Sequence, residues 1–249
     1  PGVEIRSAVI DSRLASPDCL FIALPGERCD GHDFIGESVA KGAVAVIAER
    51  EPDIQCTVLA TGEPASDPGV WEPAAPACFV VLDSLVALQQ LAAFWRRQHD
   101  VRVMGITGSV GKTTSKEVIA AVLNQRYNTL KSEGNYNNEI GLPLTLLHLT
   151  AKHEQVVLEM GMYDLGEIAQ LAEISLPQVG VVTNVGPTHL ERLGTMERLA
   201  QAKTELPRAL PPADQGGVAI LNADDPLVRG MAKETQARVF TYGLDPGAD

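Results

Sequence analysis

The stretch from Val101 to Thr114 restricts this chain more than any other. An apolar run at 101–107 has strand length, and it passes through Gly108-Ser109-Val110-Gly111 into Lys112-Thr113-Thr114, where apolar residues begin to recur at helical spacing. Glycines between a strand and a helix let backbone N–H groups turn inward around an anion. The helix N-terminus adds the positive end of its dipole. Lys112 can reach the β- and γ-phosphates of a nucleotide, and the Thr113 hydroxyl can ligate Mg²⁺. The expected phosphate-contacting residues are therefore Gly108, Ser109, Val110, Gly111, Lys112, Thr113 and Thr114. The match to G-x-x-x-x-G-K-[ST] is incomplete, because Ile106 stands where the first glycine would be. The loop specifies a nucleotide but not a reaction.

The sequence on either side sets the fold class. Strand-length apolar runs at 101–107, 156–160, 179–184, 218–222 and 238–242 alternate with helical stretches that include 112–123 and 196–206. This alternation predicts a parallel sheet covered on both faces. Upstream, short apolar runs at 7–10, 19–24, 43–48 and 79–82, with a short helix at 34–41 ending at Gly42, predict a small α/β domain. Residues 61–77 carry Pro64, Pro68, Pro73 and Pro76 and read as a surface loop. Leu85, Leu88, Ala92 and Trp95 place a connecting helix at about 84–98. The chain thus reads as α/β throughout: a small N-terminal α/β substrate domain at 1–83, then a P-loop-type parallel-sheet domain at 84–249.

Composition removes several classes of function. The 249 residues carry a formal charge of −12, and no Lys/Arg stripe offsets it, which argues against nucleic acid. A polyanionic ligand must be held by a local site. Hydrophobic residues make up 45% of the chain, enough for a sizeable core. No apolar run is long enough for a membrane span or a signal peptide, so no membrane insertion is expected. The four cysteines, Cys19, Cys29, Cys56 and Cys78, form no C-x-x-C pair and read as reduced thiols of a cytoplasmic protein.

Other residues are open to two readings. Glu159 follows the apolar run Val156-Val157-Leu158, where a carboxylate can face a ligand beyond the strand end or simply be solvated. Asn135, Asn137 and Asn138 are substrate-facing amides or members of a turn-rich loop. Ser12 and Arg13, after Asp11, and Asp30 and His32, around Gly31, can bind a substrate's pyrophosphate or carboxylate, or hold the small domain together.

Taken in order, these stretches resemble the Mur ligases. Thr107 to Thr114 is similar to their nucleotide loop. Asp11-Ser12-Arg13, Phe21-Ile22-Ala23-Leu24-Pro25-Gly26 and Asp30-Gly31-His32-Asp33-Phe34-Ile35 resemble their UDP-substrate domain. Gly134-Asn135-Tyr136-Asn137-Asn138-Glu139-Ile140-Gly141-Leu142-Pro143, Glu159-Met160-Gly161 and Gly166-Glu167-Ile168 look like the branch that adds D-alanyl-D-alanine. Asn184 to Glu191 and Ala202-Lys203-Thr204-Glu205-Leu206 complete the resemblance.

The resemblance implies an ATP-dependent ligase of peptidoglycan synthesis, acting through an acyl phosphate. Its substrates would be a UDP-N-acetylmuramoyl-peptide (the tripeptide) and D-alanyl-D-alanine. It implies a pair of Mg²⁺ ions held by Thr113, Glu159, His189 and Lys203, the last as a CO₂-derived carbamate, with Lys112, His189 and Lys203 as catalytic residues. It also implies a monomer whose third, C-terminal domain lies past Asp249, so that the 249 residues alone would be inactive or nearly so. The rival readings are the neighbouring ligase that adds the third amino acid to the muramoyl dipeptide, a non-catalytic nucleotide-binding paralogue, and a P-loop kinase or GTPase. The last would leave the Asn-rich segment unexplained.

Overall fold

The computed structural model describes residues 4–26, 29–60, 75–188, 190–244 and 248. The chain divides into two compact units, Pro1–Leu91 and Ala92–Asp249.

The first unit holds a five-stranded sheet. Its strands are β1 (Ser7–Val9), β2 (Cys19–Ile22), β3 (Ala43–Ala48), β4 (Thr57–Ala60) and β5 (Ala77–Val80), in the order β1-β2-β3-β5-β4 with every pair parallel. The interior strand β2 is buried along its whole length, which is why it reads as an unbroken apolar run. Phe21, Val46 and Cys78 form the centre of this core with Ile35 of α1 (Ile35–Ala40). Two sequence expectations shift. The run expected at 79–82 pairs as Ala77–Val80, because its neighbour β3 ends at Ala48 opposite Val80, and Leu82 is left fully exposed. The edge strand β4 was not expected. Most of the proline-rich stretch at 61–77 lies outside the described residues. Cys19, Cys29, Cys56 and Cys78 are all free thiols.

Helix α2 (Ser84–Arg97) matches the expected connector, but the division between units falls within it rather than before it. Ser84 donates through N and Oγ to Glu49 in the first unit. The last turn is anchored in the second unit, where buried Arg96 donates to the carbonyls of Ser175, His99 and Val101. Periodicity continues through the helix, so the boundary leaves no mark in the sequence.

The second unit is a six-stranded parallel sheet with the order β11-β10-β9-β6-β8-β7. The strands are β6 (Arg102–Thr107), β7 (Thr129–Lys131), β8 (Gln155–Glu159), β9 (Val179–Val182), β10 (Val218–Asn222) and β11 (Arg238–Tyr242). Successive strands go first to one side of β6 and then to the other, so the topological switch point lies at its carboxyl end. Helix α3 (Lys112–Leu123) covers one face over Ile106, Val157 and Val181. The opposite face carries the larger core, in which α4 (Gly141–Leu146), α5 (Glu167–Ser175), α6 (Leu190–Leu193) and α7 (Met196–Ala209) contribute Leu142, Ile168, Leu193 and Leu206. Gly105 and Gly180 admit α7 closely: a Cβ at either would come within about 3 Å of the Leu206 side chain. Helix α7 runs past the expected end at 206, with Pro207 inside it, although proline cannot donate to the carbonyl one turn back. Helix α8 (Pro226–Gly230) completes the unit. Among the described residues no helix is long and apolar enough to cross a membrane.

Candidate active site at the switch point

The glycine loop turns out of central β6 with Gly108 at φ 146° and Gly111 at φ 87°. Gly111 caps α3 without a side-chain hydrogen bond, so α3's first N–H groups stay available to a ligand. Gly108 is required twice over, since a Cβ there would lie 1.8 Å from Thr183 Oγ1. Thr183, Asn184 and Gly186, just after β9, brace the loop from outside. Val110 N donates to Asn184 Oδ1 at 2.9 Å, Asn184 Nδ2 donates back to Val110 O at 2.9 Å, and Thr183 Oγ1 donates to Val110 O at 2.7 Å. Gly186 N donates to Ser109 Oγ at 2.8 Å. Sequence reasoning gave these bracing residues no role. Asn222, Asp224 and Asp225 hold neighbouring backbone: Asp225 caps α8 and accepts from Val185 N, and Asp224 accepts from Leu244 N.

Lys112 Nζ folds back onto the loop, donating to Gly108 O at 2.8 Å and Ser109 O at 3.2 Å. Burial lowers its pKa from the usual lysine value, opposed by the nearby charge of Glu159. Thr113 Oγ1 donates to Glu159 Oε2 at 2.8 Å, and Asn137 Nδ2 donates to Glu159 Oε1 at 2.8 Å. Three segments far apart in sequence therefore meet on one buried carboxylate. Val110, Thr113 and Thr114 are on the exposed side of the loop and first helical turn.

A cleft of about 90 Å³ opens beside this group, lined by Lys112, Asn137, Asn138, Tyr163, Thr188 and Lys203 among others. Lys203 is 2% exposed and makes no hydrogen bond to a described residue. Burial, then the neighbouring charge of Lys112, brings its pKa down from 10.5 to about 8. Thr188 Oγ1 is buried without a partner among the described residues. A cleft holding two cationic side chains and an unpartnered hydroxyl is built for an anion. His189 lies outside the described residues.

The remaining predicted residues divide. Asn138 Oδ1 caps the start of α4 by accepting from Gly141 N at 2.9 Å, besides lining the cleft, and Asn135 stays exposed. In the first unit the predicted substrate groups engage one another. His32 is buried, its Nδ1 donates to Asp30 at 2.6 Å, and its Nε2 accepts from Glu49 N at 2.8 Å, so neither ring nitrogen is left for a ligand. Asp30 also pairs with Arg50, and the two hold its carboxyl well below the usual range. Ser12 donates to Glu37, while Arg13 is exposed and pairs with Asp11.

Among the described residues no cluster of three or more His, Cys, Asp or Glu side chains could hold a metal. Thr113 and Glu159 instead offer adjacent hard oxygens, the sparse protein set that Mg²⁺ accepts when waters and phosphates supply the rest.

A parallel sheet covered on both faces, with a glycine loop and following lysine at its switch point, defines a P-loop nucleotide-binding architecture. The family models narrow this further. The Mur ligase middle domain matches residues 106–249, and the Mur ligase family, catalytic domain, matches residues 4–96. The chain belongs to the Mur ligase family. It is 42% identical to the UDP-N-acetylmuramoyl-tripeptide–D-alanyl-D-alanine ligase of Synechocystis sp., over 98% of this chain and 50% of that protein. Among solved structures, MurF from Acinetobacter baumannii superimposes with a TM-score of 0.84 at 33% identity, over 100% of this chain and 50% of that one. MurF ligase from Thermotoga maritima in complex with ADP gives 0.79 at 34% identity, over 98% and 52%. The chain spans about half the length of the relatives it matches.

Proposed function

We propose that the chain carries the nucleotide and UDP-substrate sites of an ATP-dependent ligase that joins D-alanyl-D-alanine to UDP-N-acetylmuramoyl-tripeptide. The observation that carries this reading is the convergence of Lys112, Thr113, Asn137 and Glu159 beside a cleft lined by Lys203. The substrate class rests on the names of the relatives and on the bound ADP of one of them.

A carboxylate becomes an acyl donor only when its oxygen is made a leaving group. In the proposed reaction that oxygen attacks the γ-phosphorus of ATP, ADP leaves, and an acyl phosphate forms. The amine of the dipeptide then attacks the acyl carbon, a proton is lost from nitrogen, and phosphate departs. Two polyanions must approach each other in the first step, which calls for cations where charge accumulates. Lys112 supplies one at the γ-phosphate. Bound Mg²⁺ would supply further positive charge, with Thr113 and Glu159 holding it and His189 contributing to a second site. Lys203 is proposed to react with CO₂ through its neutral amine, forming an N–C bond and releasing one N–H proton to solvent to leave a carbamate, and its desolvated position favours the neutral amine. The amide of Asn137 keeps Glu159 oriented, and Asn138 and Thr188 offer polar contacts to the substrate without added charge. Arg13, the exposed cation able to meet a pyrophosphate, is assigned to the UDP-linked end, and Ser12, Asp30 and His32 are assigned to holding the fold around it. The division of labour follows the two units, nucleotide in the second and UDP moiety in the first.

The test is phosphate release from ATP by the intact protein with UDP-muramoyl-tripeptide and D-alanyl-D-alanine, with product mass as the second readout. Release that needs both peptide substrates supports the proposal. Preference for a single amino acid and the muramoyl dipeptide would move the protein to the neighbouring branch, and release indifferent to both would sink the ligase reading.

A further inference from the structure

Lys116 has no part in the chemistry proposed above, yet it is buried completely. It lies one turn beyond the phosphate loop on α3, and its Nζ donates to Ser132 O at 2.7 Å and Gly134 O at 3.2 Å. Its nearest countercharge is the half-exposed Glu117 at 3.4 Å, which is shared with Lys131. Burying an ammonium group is costly, and an apolar side chain of the same length would fill the space more cheaply.

What the ammonium secures is the segment 132–137. That segment grips Glu159 at two points. Ser132 Oγ accepts from the backbone N–H of Glu159 at 3.1 Å, and Asn137 Nδ2 donates to its carboxylate. Asn137 O in turn accepts from Gly161 N at 2.7 Å, locking the segment to the chain just past Glu159. On the other side, Thr113 reaches the same carboxylate from α3, the helix that carries Lys116. Glu159 is therefore held between two elements, and Lys116 fastens those two elements together.

We propose that Lys116 is a positioning residue: by tying α3 to the 132–137 segment it sets the spacing of Thr113 and Glu159, and so the affinity of this site for the divalent cation that accompanies the nucleotide phosphates. The inference rests on the reading of Thr113 and Glu159 as Mg²⁺ ligands. Outer-shell partners of metal ligands typically change metal affinity by a factor of ten or more.

The experiment titrates a non-hydrolysable ATP analogue into the intact protein, in EDTA and then in Mg²⁺, for wild type, Lys116→Met and Ser132→Ala. Ser132→Ala removes only the hydroxyl that holds Glu159 N and keeps the test open if Lys116→Met does not fold. In both variants the metal-free affinity should be unchanged. The gain in affinity on adding Mg²⁺ should fall about tenfold in Lys116→Met, and less in Ser132→Ala. Folded variants that keep the full Mg²⁺ gain would overturn the role of Lys116 and leave the proposed function standing. A wild type that shows no Mg²⁺ gain would overturn the metal reading itself, and the inference with it.

Discussion

Replacing Lys203 with methionine probes the cleft most directly. The side chain is almost wholly buried without a hydrogen-bonding partner among the described residues, and methionine keeps its length while removing the charge. The fall in pKa from 10.5 to about 8 measures how much the folded protein disfavours the ammonium form. At about 1.4 kcal/mol per tenfold change in proton affinity this is on the order of 3 kcal/mol. Because the folded pKa lies below the unfolded one, the unfolded chain holds the extra proton between about pH 8 and 10.5. Stability therefore climbs with pH through that window, while below it both states are protonated and the full cost remains. The expectation is that Lys203→Met is more stable than wild type at pH 7 by up to that amount, with the gap closing as pH approaches 10.5. Urea unfolding at pH 7, 8.5 and 10 in CO₂-free buffer measures it, and admitting bicarbonate should narrow the gap at pH 8 by stabilising wild type alone. A variant less stable than wild type at pH 7, or a difference that ignores pH, would refute the picture of a desolvated cation.

Three further outcomes are expected. Gly108→Ala should abolish nucleotide binding, because its Cβ would meet Thr183 Oγ1 at 1.8 Å, whereas Gly111→Ala, with nothing within 4 Å, should cost only about 1–2 kcal/mol for its left-handed backbone; calorimetry and thermal melts separate the two. Arg96→Met removes the guanidinium donor from the carbonyls of Ser175 and Val101, while His99 O keeps the N–H of Val101, and should destabilise the second unit by roughly 3 kcal/mol, read by denaturant unfolding. Arg13→Ala should leave the melting temperature unchanged, since its pair with Asp11 is solvent-exposed, while weakening binding of a UDP-linked muramoyl peptide; unchanged binding would remove Arg13 from the substrate site.

What could be read early follows from how local each requirement is. The phosphate loop was legible because positive φ at two positions leaves glycine as the fitting residue. The largely buried strands β2, β3, β6, β8 and β9 were legible because burial on both faces demands continuous apolar runs. The edge strands β4 and β7, with partners on one side only, were missed. The sequence left Asp30 and His32 open between ligand contact and fold support, since an Asp–Gly–His turn reads the same either way. Their ring and carboxylate contacts are made within the fold.

By itself, then, the sequence determined the α/β class, the place of the nucleotide loop and the residue types able to serve it, since strand period, glycine geometry and charge are properties of short stretches. Only the tertiary structure decided that Asn137 and Thr113 share one carboxylate, that Thr183, Asn184 and Gly186 brace the loop, and that Lys203 loses its solvent. Each of these depends on which strand ends are neighbours in the sheet, and that order is fixed by packing of both faces over the whole domain rather than by any segment read alone.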